Sequence, residues 1–266
     1  MNVIITGNTK GFGLALTKEF LKAGDNVNIS SRNENRVKDV TASLKNQFPK
    51  TDIIEYPCDV SNPTSTSDLA NIAMEKWGKI DIWINNAGTS GMTRKPLNEV
   101  SIDELQLVIN TNVLGTLYGC QAALSVMIQQ DRGHIFNLAG WGSDGRTSEL
   151  SAVYGASKAP MPQLTKTLSK EYKKTNIGIH FLSPGMMVTD LVIKNATPDA
   201  YRIFNILCEY PEIVAKKFAP KIRTINGTGK KIQYISQRGM MLRFMTAWRR
   251  KNRFFDENGN FKPYSE

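Results

Sequence analysis

Tyr154-Gly-Ala-Ser-Lys158 places a phenol and an ammonium four residues apart. On a helix that spacing puts both side chains on one face, where the ammonium stabilises the phenolate and is expected to lower the phenol's pKa. Without such help a phenol titrating near ~10 is a poor acid–base catalyst at neutral pH. The same spacing also serves a half-buried aromatic beside a solvated amine. The pair therefore draws its weight from the elements in front of it.

Those elements begin with a strand, Val3-Ile4-Ile5, followed by Thr6-Gly7-Asn-Thr-Lys10-Gly11-Phe12-Gly13 and an amphipathic helix ending before Gly24. Glycines between a strand and a helix let the backbone turn tightly and approach a pyrophosphate, whose charge the free N–H groups of the helix start stabilise. The second strand, 26–30, ends in Ser30-Ser31-Arg32. A site for NAD would offer a carboxylate to the ribose there. Serine and arginine favour the 2′-phosphate of NADP(H), which a guanidinium binds in a forked geometry, and Lys10 either adds to that charge or points to solvent.

A helix to about Phe48 and a strand over 53–56 lead to Cys58-Asp59-Val60. Asp59 either meets an adenine amino group or caps the following turn. Asn62-Pro63 reads as N-cap and first residue of a helix to Trp77-Gly78. The strand over 81–84 runs into Asn85-Asn86-Ala87-Gly88, which suits either a cofactor passing close to backbone or a plain turn. Ser101-Ile-Asp-Glu104 is a capping box opening a long helix, and Asn112 inside it needs a partner, a water or a backbone carbonyl. The strand over 135–138 then delivers Ser143 ahead of Tyr154.

Composition narrows the class. With 266 residues, 41% apolar and 22% charged, the chain can bury a full core and is neither disordered nor membrane-spanning. Three scattered cysteines (Cys58, Cys120, Cys208) form no disulfide framework, and His134 and His180 lack neighbouring metal ligands and read as structural. The formal charge of +10 concentrates late, at Arg243, Arg249, Arg250, Lys251 and Arg253. That cluster suits an anionic membrane, nucleic acid, an acidic partner, or simply a solvated face. A strand almost at Met1 leaves no room for a leader unless one was removed, so the expected location is cytoplasmic, or the plastid and thylakoid periphery after such removal.

Taken together, TGNTKGFG, CDV, NNAG, NVLG, YGASK and Ser183-Pro184-Gly185-Met-Met187-Val-Thr189 resemble, in order and spacing, the short-chain dehydrogenase/reductase family over roughly the first 190 residues. The resemblance implies an α/β fold with a doubly wound parallel sheet of Rossmann type. It implies one domain over 1–236, with a substrate lid at about 186–220 and an extension over 237–266, and a homo-oligomer. It implies Asn112, Ser143, Tyr154 and Lys158 as a catalytic tetrad. Gly7, Gly11, Gly13, Asp59, Asn85 and Thr189 are the implied cofactor contacts, joined by Lys10, Phe12, Ser31, Arg32, Val60, Ala87, Gly88, Pro184, Gly185 and Met187 and by Tyr154 and Lys158 themselves. NADPH is the implied cofactor, with NADH the alternative.

Two features depart from the family pattern. The usual serine position, thirteen residues before the tyrosine, holds Trp141, and Ser143 lies two residues later. Pro160 and Pro162 remove helix hydrogen bonds just after Lys158 and predict a kink. The Gly142-Ser143 arrangement is similar to that of the chlorophyll(ide) b reductase subgroup. So are Phe204–Glu212, Gly227–Lys230, Thr246–Arg250 and Arg253-Phe-Phe-Asp256. The implied reaction is reduction of the 7-formyl group of chlorophyll(ide) b; another large apolar carbonyl substrate (steroid, retinoid or quinone) is the alternative.

The residues fit that chemistry: Tyr154 protonates the oxygen formed as hydride reaches an aldehyde carbon, Ser143 hydrogen-bonds it, and Lys158 stabilises the tyrosinate and holds the ribose. After Thr189, Leu191, Val192, Ile193 and the 201–207 run read as a lid or as core helix. Residues 240–253 mix Met240, Met241, Leu242, Phe244, Met245 and Trp248 with basic residues, the composition of a helix at a membrane or pigment–protein surface, or of one packed on the domain or a second subunit. No nucleic-acid motif is present, and a non-catalytic NADP(H)-binding regulator would not need Tyr154 and Lys158. Tyr154→Phe is expected to abolish turnover while leaving NADPH binding intact; appreciable activity in that variant refutes the assignment.

Overall fold

The computed structural model describes residues 1–92, 94–189, 193, 198–256 and 260–264. Seven strands, β1 (Asn2–Ile5), β2 (Asn26–Ile29), β3 (Ile53–Glu55), β4 (Ile82–Asn85), β5 (Gly133–Leu138), β6 (Ile177–Ser183) and β7 (Lys231–Gln233), form one sheet in the order β3-β2-β1-β4-β5-β6-β7. Every pairing is parallel. The chain reverses direction across the sheet between β1 and β4, and the strands' C-terminal ends face the crevice there, the usual ligand position in such sheets.

A parallel sheet needs helices on both faces, and strand periodicity allots the side chains. Val3, Ile5, Ile82, Ile84 and Phe136 pack toward α1 (Gly11–Lys22), α2 (Glu34–Gln47) and a late helix over Pro211–Arg223. Ile4, Trp83 and Ile135 pack toward α3 (Pro63–Trp77), α5 (Gly115–Gln129) and α7 (Pro160–Glu171). Asn62 caps α3 from Thr64 N with Pro63 in the first turn, and Gly78 closes it in the left-handed conformation at φ 69°.

The long helix expected around Asn112 is divided. Ser101 caps α4 (Ile102–Ile109) by accepting from Glu104 N, residues Asn110–Leu114 form a π-helical turn, and α5 follows. Around the prolines the helical ladder is interrupted at Ala159, between α6 (Ala152–Lys158) and α7, yet Ala159 keeps helical dihedrals of −57° and −38°. The missing N–H groups thus fall in the first turn of α7, where a proline is tolerated.

Beyond β6 lie α8 (Pro198–Leu207), α9 (Pro211–Arg223) and α10 (Gln237–Met245). Leu191 and Val192 of the expected lid lie outside the described residues. The tail expected as a separate extension folds back: Phe254 and Phe255 are buried against Val188, Phe204 and Cys208, and Asn205 accepts from both Phe254 N (2.7 Å) and Phe255 N (3.2 Å). The basic cluster divides, with Arg249 and Lys251 exposed. Arg243, Arg250 and Arg253 turn inward to Glu209, while Met241, Leu242, Phe244, Met245 and Trp248 are exposed. Among the described residues no helix is long and apolar enough to cross a membrane.

The two histidines form a pair between β5 and β6, with Nδ1 of His134 3.0 Å from Nε2 of His180. Burial holds His134 below its usual range and, with His134 and Lys230 adding to it, pushes His180 down to about 3. The folded chain therefore binds fewer protons than the unfolded chain below the ordinary histidine pKa of ~6.5. Stability is present above that pKa and is lost on acidification, by up to about 1.4 kcal/mol per pH unit for each histidine still neutral. Denaturation midpoints are expected to drop between pH 7 and pH 5, a window above ordinary carboxylate titration; equal midpoints at both would remove the explanation.

Candidate active site

The glycine-rich loop is built by close packing. A Cβ on Gly7 would lie 2.9 Å from Ala87 Cα, and one on Gly13 would lie 2.5 Å from Asn86 Nδ2; Gly7 and Gly11 sit at φ 65° and 56°. The loop is tied down by Asn8, fully buried, whose amide donates to Asn28 O (2.6 Å) and Thr17 Oγ1 (2.9 Å) and accepts from Ser30 N (2.8 Å). Helix α1 opens at Gly11 without a side-chain cap. A glycine cradle in front of an uncapped helix start fits a dinucleotide pyrophosphate.

At the end of β4 two adjacent asparagines part. Asn85 is buried, donating to Asn137 Oδ1 (2.9 Å) and accepting from Trp83 Nε1 (2.8 Å), so it braces strands rather than facing the crevice. Asn86 lines the crevice, donating to Thr6 O (2.8 Å) and Gly7 O (3.1 Å). Sequence reasoning chose the first of the pair; strand alternation carried the signal, since Trp83 and Asn85 must share a face. Asp59 takes the capping alternative, accepting from Ser61 N (3.0 Å) and Ser61 Oγ (2.7 Å), and Val60 packs under Gly115, whose Cβ would approach it to 2.7 Å. Ser31 Oγ donates to Asn33 O, whereas Arg32 and Lys10 are exposed on the crevice rim, where a 2′-phosphate would need them.

Asn112 projects from the π-helical turn into the centre. It accepts from Thr89 N and donates to Thr89 O and Ser157 Oγ, each at 2.8 Å, so the backbone-carbonyl partner is the one observed. Ser157 passes the contact on to Tyr154 O at 2.7 Å. A Cβ on Gly88 would lie 3.2 Å from Asn112 Oδ1 and 3.5 Å from Lys158 Nζ, so the amide and the ammonium meet over that glycine.

Ser143 turns back toward the helix of Lys158. Gly142, at φ 96°, has its Cα position against Gly155, where a Cβ would come within 2.7 Å of backbone, and Ser143 N donates to Gly140 O (3.1 Å). This turn brings Ser143 Oγ back to accept from Gly140 N (3.0 Å) and donate to Lys158 O (3.1 Å). Trp141, in the usual serine position, lies under the Arg146 guanidinium at 5.2 Å. Ser143, Tyr154, Lys158, Gly88, Phe12, Pro184, Gly185, Met187 and Thr189 all line one crevice of about 2140 Å³. Dedicated ligand sites span roughly 300–1,000 Å³, so there is room for a dinucleotide and a second large molecule.

The expected lowering of the Tyr154 pKa is corrected. Burial pushes the phenol up to about 12 and the Lys158 ammonium down to about 8, because desolvation disfavours the charged form of each. At neutral pH this leaves a protonated phenol beside an ammonium, an arrangement that can give a proton to a carbonyl oxygen.

A Cβ on Gly140 would lie 2.6 Å from Tyr154 Oη and 2.7 Å from Lys158 Cγ. Gly140→Ala is therefore expected to displace both groups and lower kcat about 100-fold, with a well-folded protein remaining. Steady-state rates and thermal melting check this; a rate within a few-fold of the parent contradicts the packing.

The short chain dehydrogenase family model matches residues 1–199. "Chlorophyll(ide) b reductase NOL, chloroplastic" of Oryza sativa subsp. japonica is 43% identical over 259 residues, covering 96% of this chain and 74% of that protein. "Probable chlorophyll(ide) b reductase NYC1, chloroplastic" of Arabidopsis thaliana is 37% identical over 274 residues, covering 97% of this chain and 55% of its own length. The chain thus spans about half the length of the first curated relatives it matches. Among solved structures, the closed form of serine dehydrogenase complexed with NADP+ superposes with a TM-score of 0.74 at 25% identity, over 88% of this chain and 95% of that one. The chain belongs to the short chain dehydrogenase family.

Proposed function

We propose that the chain reduces the 7-formyl group of chlorophyll(ide) b to the 7-hydroxymethyl group of chlorophyll(ide) a, using NADPH, the first step of chlorophyll b breakdown. One observation carries this reading: similarity to proteins named for that reaction continues past residue 199, where the family model ends, through the tail that walls the crevice. Arg32 and Lys10 at the rim support NADPH over NADH. The chloroplastic names of the relatives support a plastid setting. The exposed Met241, Met245 and Trp248 offer an apolar contact to a pigment-bearing membrane or complex.

The loop over Gly7–Gly13, with Asn86, Thr189, Tyr154 and Lys158, would hold the dinucleotide, which when bound supplies hydride to the formyl carbon. Tyr154, protonated at neutral pH, donates its proton to the oxygen on which negative charge develops. The Ser143 hydroxyl, held between Gly140 N and Lys158 O, donates to the same oxygen by turning its proton away from the carbonyl. Lys158 offsets the charge left on Tyr154. Asn112 positions the others through Thr89 and Ser157.

Incubation of the protein with NADPH and chlorophyll b is expected to yield the 7-hydroxymethyl product; reduction of steroid, retinoid or quinone carbonyls with chlorophyll b untouched would favour another large apolar substrate. The pH profile follows from Lys158. Its charged form is lost as pH rises through about 8, so kcat for reduction is expected to fall above that value. Lys158→Arg, always charged, removes that limb from whatever activity it retains, and a profile flat to pH 10 in the parent would contradict the role.

A further inference from the structure

Glu209 is a buried carboxylate between α8 and α9, remote from the proton-transfer groups in sequence and absent from the crevice lining. Three guanidiniums of the tail converge on it. Arg253 Nη2 lies 2.7 Å from Oε1, and Arg243 Nη2 and Arg250 Nη2 lie 3.5 and 4.0 Å from Oε2. Tyr234 of the sheet edge donates to Oε2 at 3.0 Å. The same arginines also close the end of α8: Arg243 donates to Leu207 O (2.8 Å) and Arg253 to Cys208 O (3.4 Å), the carbonyls that a helix end leaves without intrahelical donors.

The cluster joins two pieces of one wall. Helix α8 presents Ile203, Phe204 and Leu207 to the crevice, and α10 presents Met240, Met241 and Phe244. Backbone pairing adds a third tie, since Glu209 O accepts from Val188 N (3.0 Å) and Glu209 N donates to Met186 O (3.1 Å). One carboxylate for three cations leaves the group electropositive, and Arg250 Nε is buried without a hydrogen-bond partner. Without the negative charge, the three guanidiniums would repel one another at low dielectric, and the Arg243–Arg250 part of the tail would be held less tightly against α8 while Phe254 and Phe255 stay in place.

We propose that Glu209 is a positioning residue that latches the tail to α8, so that the tail forms the outer wall of the substrate half of the crevice and selects large, flat, apolar carbonyl compounds. This rests on the reductase reading given above and goes beyond it, because it separates selection of substrate size from the proton chemistry at Tyr154. An unbranched, polarisable wall of Met240 and Met241 suits an extended ring system, while a one-ring aldehyde needs no contact with it.

The test measures NADPH-dependent reduction of three aldehydes, chlorophyll b, 1-pyrenecarboxaldehyde and benzaldehyde, by the full chain and by Glu209→Gln. The substitution keeps shape and removes charge. The latch predicts that KM for both large aldehydes rises about tenfold or more while kcat for benzaldehyde stays within about twofold, together with faster proteolytic cleavage in the 237–253 segment. An equal loss on all three aldehydes would show a merely structural role, and no change on any would show that the tail needs no latch; either overturns the proposal. Should Glu209→Gln fold poorly, Arg253→Gln, which removes the 2.7 Å partner and leaves Arg243 in place, carries the same measurement. If the parent reduces the pyrene aldehyde and not chlorophyll b, the pigment reading fails while the size split still decides the latch.

Discussion

The side-chain amide of Asn112 is the tie on which the site's geometry depends. It lies fully buried, where an unpaired amide costs about 1–3 kcal/mol for each missing bond, and its bonds run to other elements. It accepts from and donates to the backbone of Thr89, at the end of the β4 loop, and donates to Ser157, in the helix of Tyr154 and Lys158. The π-helical turn admits one more residue than a regular turn, and such turns commonly mark functional positions. The same helical segment grips the loop again, through Glu104, whose carboxylate accepts from Met92 N at 2.6 Å. The loop and the helix of Tyr154 and Lys158 are thus referred to one frame, so the Lys158 ammonium stays over Gly88.

Around this frame, glycine acts by removing volume. Gly140 leaves the space that Tyr154 Oη occupies, and Gly142 lets the loop backbone touch that of Gly155. Those two positions explain how Ser143 Oγ reaches Gly140 N and Lys158 O from two residues beyond Trp141. The turn closed by Ser143 N and Gly140 O curls the chain back, while the indole of Trp141 lies under Arg146 at the crevice wall. The turn is local curvature, completed before the helix of Tyr154 begins at Ala152.

Much of this was legible in the residues. Strand alternation, the glycine loop, the Asn62-Pro63 cap and the Tyr154–Lys158 spacing each state a local preference that the parallel sheet satisfies, and the bounds of the elements fall within a few residues of expectation. What escaped is non-local. Asn85 and Asn86 are chemically identical, and only the faces of β4 distinguish them. Asp59 accepts from Ser61, two residues away, the local bond of a turn cap. The arginines of the tail looked like an outward-facing basic patch because their partner, Glu209, lies more than thirty residues upstream of the nearest of them, Arg243, and no periodicity links the two.

The proton balance of the Tyr154–Lys158 pair shows the same limit in energetic form. Spacing alone suggests that an ammonium acidifies a phenol, since opposite charges attract. Desolvation works against both charges at once, raising the phenol toward 12 and drawing the ammonium toward 8. The two shifts favour the same species at neutral pH, a phenol that holds its proton beside an amine still largely charged. That state suits proton donation to a carbonyl, the reducing direction. The depth at which this pair is set, beside Asn112, Ser157 and the glycines opposite, therefore fixes the protonation state of the pair as well as its geometry.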